Sequence, residues 1–347
     1  GNYTKKFGLD FKKINFFSKN NRIIINDLII DNKNKMVKID KIDLDYIDKY
    51  NKKNKFTLNR TKNNNYEVNG SLFNADSLIT NLLKSKDDKQ LDIFKENINI
   101  KLNFSEVYID NDSVVKNLSG KLQIIDNNIS KATILAQFND NADLRFTINT
   151  KGGEKITTLF SSKAKPLVKR YNFIKGYEGG YLDFYSSKKE KISKSTLKIY
   201  DFKLKEVPAL TKLLTLASLQ GVVDLLSGEG IRFNEFEMQS TNKNNFITID
   251  EIYAIGPSIS IMMEGSIDID KFISLRGTLV PATTLNKTIG SIPLLGKILV
   301  GSKTGEGVFG VSFKIKGPLK DLKTTVNPIR TLTPRFITRT LEKIKKN

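Results

Sequence analysis

The sequence predicts a mainly β protein made of half-buried antiparallel strands, with few short helices. Two observations support this class: apolar and polar residues alternate in many short segments, and Asn- and Asp-rich turns separate those segments. The clearest alternation covers residues 259–269, where five apolar residues fall on one side of a strand: Ile259, Ile261, Met263, Ile267 and Ile269. Polar residues fall on the other side, and only Met262 breaks the pattern: Ser258, Ser260, Glu264, Ser266 and Asp268. One apolar face and one polar face are typical of an antiparallel sheet.

The same alternation predicts further strands along most of the chain. In order, they cover residues 7–14, 22–30, 36–47, 55–60, 66–73, 98–104, 118–125, 131–138, 144–148, 181–185, 195–205, 231–238 and 309–315. Turn signals such as Asp126-Asn127-Asn128 and Asn139-Asp140-Asn141 separate neighbouring strands.

Helices are predicted at few places: residues 75–84, 209–226, parts of 285–300 and the segment after Pro334. The segment 209–226 has the clearest boundaries, because Pro208 suits a first turn and Ser227-Gly228 suits an end. This helix is apolar nearly all round. Such a helix is either buried in a protein core or in contact with lipid, and both alternatives stay open.

The count of elements raises the question of what covers the apolar face. A dozen or more strands each offer one apolar side, and a sheet face of this kind needs a second layer. Three or four short helices are too few to supply that layer. The sheet therefore closes on itself as a sandwich or barrel, or it forms a trough that holds apolar material other than protein. Alternation alone does not choose between these two.

Composition excludes several classes of function. The 347 residues include no Cys and no His, which rules out Cys- and His-based zinc sites, Cys nucleophiles and His triads. The net charge of +20 would suit a nucleic acid or an anionic membrane, but the Lys residues are scattered beside Asn and only nine residues are Arg. Gly305–Gly310 spells G-x-G-x-x-G but leads into a strand, whereas a dinucleotide site requires a helix there. We therefore expect no enzyme activity, no cofactor, no metal site and no nucleic acid.

Several segments resemble one family of envelope proteins. They include DFKLKEVPALTKLLTLASLQGVVDLLSGEGIRFNEFEMQ from Asp201, YAIGPSISIMMEGSIDID, GTLVPATTLNKTIGSIPLLGKILVGSKTGEGVFGVSFKIKGPL and VNPIRTLTPRFI. Upstream, GYEGGYLDF and YEVNGSLFNADSLITNLL also fit. Over roughly residues 60–340 the chain is similar to the AsmA-like family, in particular to YhdP-type envelope proteins, which are related to TamB-type bridge-like lipid transfer proteins.

The resemblance implies a long, curled antiparallel sheet that forms an apolar groove, the arrangement called a β-taco. Residues 1–160 would be the N-terminal part of the groove, truncated upstream. Residues 161–347 would be the AsmA-like C-terminal region, with helices at about 209–226 and 285–300 and a basic tail. The implied location is the periplasm of a Gram-negative bacterium, anchored to the inner membrane by a segment upstream of this chain.

The implied function is non-enzymatic transport of phospholipids between the inner and outer membranes, with acyl chains carried in the groove. The alternative is a periplasmic scaffold for outer-membrane assembly that acts through contacts with other envelope proteins. Residues expected to contact lipid in the groove or at its end are Leu210, Leu213, Leu214, Leu216, Leu219, Val222, Leu225, Ile259, Ile261, Met263, Ile267, Ile269, Ile292, Leu294, Leu295, Ile298 and Leu299. Residues expected to contact a membrane surface are Arg335, Arg339, Lys343, Lys345 and Lys346.

Overall fold

The protein is built almost entirely of β-strands in two compact units, Gly1–Ser162 and Lys163–Asn347. The computed structural model describes residues 2–4, 8–18, 21–79, 96–169, 176–205, 208–216, 228–244, 246–268, 271–281, 310–318 and 321–329. The prediction of a mainly β fold with antiparallel strands and few short helices is confirmed. Each unit contains one open sheet, because no pairing among the described residues joins its first strand to its last.

The first unit contains twelve strands that follow one another across its sheet. They are β1 (Asn2–Thr4), β2 (Gly8–Ser18), β3 (Asn21–Ile30), β4 (Met36–Lys38), β5 (Lys41–Ile47), β6 (Lys53–Arg60), β7 (Asn65–Asn74), β8 (Ile98–Tyr108), β9 (Val114–Ile125), β10 (Asn128–Gln137), β11 (Asp143–Lys151) and β12 (Glu154–Ser161). Each pairs with the next along the chain, except that β3 pairs with both β4 and β5, and β5 continues the sheet to β6.

The second unit contains eight strands in a simple antiparallel meander. They are β13 (Tyr177–Lys189), β14 (Ile192–Leu204), β15 (Ile231–Lys243), β16 (Phe246–Ile255), β17 (Ile259–Asp268), β18 (Phe272–Pro281), β19 (Gly310–Gly317) and β20 (Lys323–Ile329). Every strand from β13 to β19 pairs antiparallel with its successor. Alternation therefore places every second residue of each strand on one common face.

Strands β7 and β8 are parallel, unlike the other registered pairs. Asn65 lies opposite Asn99, and Asn74 lies opposite Tyr108. The polar face of this pair carries two side-chain amide bonds, in which Asn99 donates to Asn65 and Asn103 donates to Asn69, each at 2.9 Å. A parallel pair needs a connection that runs back along the sheet, which a short hairpin turn does not provide. That connection begins at residue 75.

Three helical segments lie among the described residues: α1 (residues 76–79), α2 (Lys165–Val168) and α3 (Pro208–Leu216). Segment α1 belongs to the helix predicted at 75–84, and α3 belongs to the one predicted at 209–226. The other parts of both predictions lie outside the described residues, as do the helices predicted at 285–300 and after Pro334. Within the described part of the chain, no helix is long and apolar enough to span a membrane.

Five strands were not predicted: β1, β12, β16, β18 and β20. Strand β16 shows the physical reason, because its pairing with β17 shifts between Ile249 and Ile252. Such a bulge inserts an extra residue and reverses the phase of the alternation. The apolar residues Ile247 and Ile249 therefore stand out of phase in the sequence with Ile252 and Ala254, although all four reach the same face. The single strand predicted at 36–47 is also two strands, β4 and β5.

Candidate functional site

An apolar row crosses ten strands of the first unit, from β2 to β12. We call it the first-unit row, and its residues lie directly opposite one another on successive strands: Ile14, Ile25, Ile42, Leu58, Val68, Leu102, Gly120, Ile134, Phe146 and Leu159. Nine of the ten positions carry an apolar side chain and the tenth is glycine. One face of this sheet is thus apolar without interruption across the direction of its strands.

Most of the first-unit row keeps part of its surface exposed. Val68 and Gly120 are buried, but the other eight positions are only half-buried. Apolar side chains elsewhere on the sheet are fully covered, for example Val115 and Ile124. The row therefore lacks a complete second layer among the described residues, and its partly exposed apolar surface is interrupted only at Val68 and Gly120. Contiguous apolar surface of this kind marks a binding site for protein, membrane or ligand.

The second unit carries two adjacent apolar rows across all eight of its strands. The first, which we call row A, consists of Leu182, Ile199, Phe236, Ala254, Ile261, Leu279, Val311 and Pro328. The second, row B, lies two residues from row A on each strand, alternately after it and before it along the chain: Phe184, Leu197, Met238, Ile252, Met263, Gly277, Phe313 and Val326. Both rows lie on the same face, because strand residues two apart point the same way.

Burial varies across these two rows. Six residues of row A are buried, with Leu279 and Val311 at 0% exposure, whereas Phe236 is half-buried. Row B is half-buried in β13, β14 and β15, where it consists of Phe184, Leu197 and Met238. The partly exposed apolar surface of the second unit is therefore continuous over its first three strands, and it reappears at Met263 on β17 and Val326 on β20.

The residues predicted on β17 share one face. Ile259, Ile261, Met263 and Ile267 lie opposite Pro281, Leu279, Gly277 and Ile273 of β18, respectively. Ile259 and Ile261 are buried, at 0% and 8% exposure, whereas Met263 and Ile267 are half-buried. Two of these residues, Ile261 and Met263, belong to rows A and B.

The predicted residues on the helix 209–226 are described only in part. Leu210, Leu213 and Leu214 are buried on α3, which packs against β20. Leu216 ends α3. The remaining predicted contacts lie outside the described residues: Leu219, Val222, Leu225, Ile269, Ile292, Leu294, Leu295, Ile298, Leu299, Arg335, Arg339, Lys343, Lys345 and Lys346.

Ser260 was predicted to lie on the polar face of β17, but the structure buries it. It is 0% exposed, and its Oγ has no hydrogen-bond partner among the described residues. Its cross-strand neighbour Val280 is also fully buried. At this end of β17 both faces of the sheet are covered, which alternation within one strand does not reveal.

The face opposite the apolar rows carries cross-strand polar and charged pairs. Lys101 Nζ lies 3.4 Å from Glu67 Oε1, and Arg276 Nε donates to Glu264 Oε1 at 2.8 Å. Exposed pairs of this kind contribute about 0–1 kcal/mol each, so they favour solubility and register more than stability. Where these pairs lie, the two faces of the sheet are chemically distinct, one polar and one apolar, whereas near Ser260 the face opposite the rows carries buried apolar side chains such as Val280.

The titratable groups described on the polar face include a stacked pair of tyrosines. Burial first, and then the carboxylates of Glu235 and Asp183, raise the pKa of Tyr200 to about 12. Its phenol ring stacks on that of Tyr181 with centroids 4.7 Å apart and stays neutral at ordinary pH. The described residues contain no group of three or more acidic side chains placed to hold a metal ion.

The first-unit row was not nominated as a site from the sequence. The signal was present, since the alternations at 98–104 and 144–148 include Leu102 and Phe146. Strand positions become a continuous row only when the register of neighbouring strands is known. Comparison of the chain with family models, with curated proteins and with solved structures finds no match.

Proposed function

We propose that this chain is a non-enzymatic phospholipid carrier whose apolar rows form the floor of a groove that holds acyl chains. The observation that carries the proposal is the continuity of the apolar rows together with the partial exposure of the first-unit row and of row B on β13, β14 and β15. An apolar face crossing ten strands in one unit and eight in the other is far larger than packing of the short described helices requires. Lipid would supply the missing layer.

The dimensions of the first-unit row suit lipid rather than a small ligand. Adjacent strands lie about 4.8 Å apart, so nine intervals make a path of roughly 40 Å along the row. Each CH₂ group of an acyl chain that leaves water contributes about 0.8 kcal/mol. Because the row repeats similar positions, bound chains gain similar free energy at each step. A lipid would therefore move along the row without crossing a high barrier and without a chemical step.

The resemblance to the AsmA-like family supplies the proposed setting. The chain would work in the periplasm of a Gram-negative bacterium, anchored at the inner membrane by a segment upstream. Its partners would be phospholipids, the surfaces of the inner and outer membranes and other envelope proteins. The basic residues from Arg335 to Lys346 would contact anionic lipid head groups at a membrane surface.

The test compares two adjacent positions on opposite faces of β10. Ile134 belongs to the first-unit row and is half-buried, whereas Thr133 is exposed on the polar face. A photoactivatable phenylalanine analogue at position 134 should capture co-purifying phospholipid at least tenfold more than the same analogue at position 133. Captured lipid is identified by mass spectrometry after solvent extraction.

The same preparation distinguishes the alternative. Native mass spectrometry of the unmodified chain should show several phospholipids per molecule. A folded chain that carries no lipid and gives no capture at position 134 would overturn the proposal. That result would favour the scaffold for outer-membrane assembly, in which apolar surface meets other envelope proteins.

A further inference from the structure

Four serine residues form a cluster of hydroxyl groups on the first three strands of the second unit. We call it the hydroxyl patch, and it consists of Ser186, Ser193, Ser195 and Ser240. Ser195 lies opposite Ser186 on one side and opposite Ser240 on the other. The Oγ atoms of Ser186 and Ser193 are 2.9 Å apart, and Ser195 Oγ donates to Ser186 Oγ at 2.9 Å. Ser186 is 9% exposed.

The hydroxyl patch continues the apolar face directly. Ser186 follows Phe184 by two residues on β13, and Ser195 precedes Leu197 by two residues on β14, so all four side chains share one face. Two residues of strand span about 7 Å. The half-buried side chains of row B therefore end against a row of hydroxyls. This border is confined to β13, β14 and β15, because the same row continues as Ile249, Gly265, Leu275 and Ile315 on the next four strands.

Hydrogen-bond accounting leaves one donor unassigned among three of the four serines of the patch. Ser186, Ser193 and Ser195 together have three O–H donors, and the two bonds between them use only two. If Ser193 donates to Ser186, the Ser186 hydrogen is unassigned, and in the reverse case the Ser193 hydrogen is unassigned. Such a hydroxyl favours an acceptor oxygen from outside the cluster, and leaving it unpaired in a buried site costs about 1–3 kcal/mol.

The next row on the same face adds charge and further donors. Lys188 and Asn242 both lie opposite Ser193, on β13 and β15 respectively. An ammonium group and an amide beside the hydroxyls suit an anionic oxygen-rich group. Moving along these three strands, the face thus changes from apolar side chains to hydroxyls and then to a cation and an amide. A phospholipid has the same order of chemistry from acyl chain to glycerol esters to phosphate.

We propose that the hydroxyl patch is a head-group site, where the ester and phosphate oxygens of a phospholipid accept hydrogen bonds while its acyl chains lie over Phe184, Leu197 and Met238. This inference rests on the proposed function and adds an orientation to it. Lipids on the first three strands of the second unit would point their head groups toward Ser186 and their chain ends toward row A.

The experiment uses the full chain and vesicles of phosphatidylethanolamine and phosphatidylglycerol that contain one of two photoactivatable phospholipid probes. One probe carries a diazirine in the head group, and the other carries it at the end of an acyl chain. In the wild-type protein, head-group labelling should map to residues 186–195 at least fivefold more than acyl labelling does. Acyl labelling should map to row B, whose residues on β13, β14 and β15 are half-buried.

A double variant, Ser186→Ala with Ser195→Ala, removes two hydroxyls with little change of volume. It should lose at least fivefold of the head-group labelling at residues 186–195 and keep acyl labelling within twofold. The control Thr196→Ala lies between Ser195 and Leu197 on the opposite face and should change neither.

The outcomes separate this inference from the function on which it rests. One outcome is that the acyl probe labels the rows while the head-group probe labels all parts of the chain equally. That outcome would overturn the head-group site but would still support lipid carriage. Head-group labelling that persists in the double variant would also overturn it and would assign the serines to strand pairing alone. If neither the head-group probe nor the acyl probe labels the chain, the head-group site and the proposed lipid carriage are both overturned.

Discussion

Replacing Gly70 by alanine tests the packing of the apolar face in the first unit. Gly70 lies on β7 directly opposite Phe56 and Phe104. A Cβ atom added at this position would stand 2.6 Å from Phe104 Cε1 and 2.6 Å from Phe56 Cβ. Carbon atoms in contact normally lie about 3.5–4.0 Å apart. The glycine therefore makes room for two aromatic side chains that neighbouring strands bring to the same place.

The neighbouring side chains have little freedom to move away from such a Cβ. Phe104 is 7% exposed, and its ring packs on those of Phe56 and Phe73 with centroids 5.8 and 5.4 Å apart. Phe56 Cβ is attached to the backbone of β6, so it moves only with the strand. Overpacking of this kind costs about 1–3 kcal/mol. Alanine recovers up to about 1 kcal/mol because it restricts the unfolded chain. The expected net loss of stability is about 1–2 kcal/mol.

Gly120 is the matched control on the same apolar face. An added Cβ there would lie 3.3 Å from Ile134 Cγ1 and 3.4 Å from Leu102 Cβ. A shift of a few tenths of an ångström relieves both contacts, and half-buried Ile134 has space to make it. Gly120→Ala should therefore change stability by less than about 0.5 kcal/mol, or raise it slightly.

Urea unfolding followed by far-ultraviolet circular dichroism measures both variants. With a slope of about 2 kcal/mol per molar urea, the Gly70→Ala midpoint should fall by roughly 0.5–1 M. Hydrogen exchange of peptides from β7, β8 and β9 should show the loss locally. A Gly70→Ala midpoint equal to or above that of Gly120→Ala would refute the reasoning, since only the first substitution forces atoms together.

Two further substitutions test polar side chains by the same urea titration. Ser260→Ala should leave stability unchanged or raise it by up to about 1 kcal/mol, because it removes a buried hydroxyl that has no partner among the described residues. A loss of stability of more than about 1 kcal/mol would show that the hydroxyl forms a hydrogen bond. Burial alone would raise the pKa of Asp48, but hydrogen bonds from Lys52, Asn74, Tyr50 and Asn54 outweigh it and lower that pKa. The stabilisation is therefore complete above the unfolded pKa of about 3.9 and is lost as pH falls through the lower folded value. Asp48→Ala should cost about 1 kcal/mol at pH 7 and less at pH 3, and an equal cost at both pH values would contradict the role of the carboxylate.

Sequence alternation predicted which side chains share a face but not how strands are arranged. On β17 it assigned Ile259, Ile261, Met263 and Ile267 to one side, and the register with β18 places them there. It carried no information about strand direction, because parallel and antiparallel strands alternate in the same way. The parallel pairing of β7 with β8 was therefore not predictable from the pattern. Nor was the burial of Ser260, which depends on what covers both faces of the sheet.

The hydroxyl patch escaped prediction for a related reason. The segment SSKKEKISKS has the composition of a loop, so the strand predicted at 181–185 ended before it. In the structure β13 continues to Lys189 and β14 begins at Ile192, with Glu190 in the left-handed conformation of a tight hairpin turn at φ 53°. Long neighbouring strands impose the extended conformation on residues that would not choose it alone. The sequence signal that could have revealed this extension of β14 was the alternation of Ser193, Ser195 and Leu197 at every second position.

The order of strands in each unit has a consequence for folding. Nearly every registered pair joins strands that are neighbours in the sequence, so the contacts are local and the cost of closing chain loops is small. Stability then resembles a sum over adjacent pairs, as in repeat proteins, and folding can start at one hairpin and extend strand by strand. Three junctions interrupt this series, because 23 residues separate Asn74 from Ile98, 26 separate Leu204 from Ile231 and 28 separate Pro281 from Gly310. We expect the groups of strands between these junctions to unfold as separate cooperative blocks.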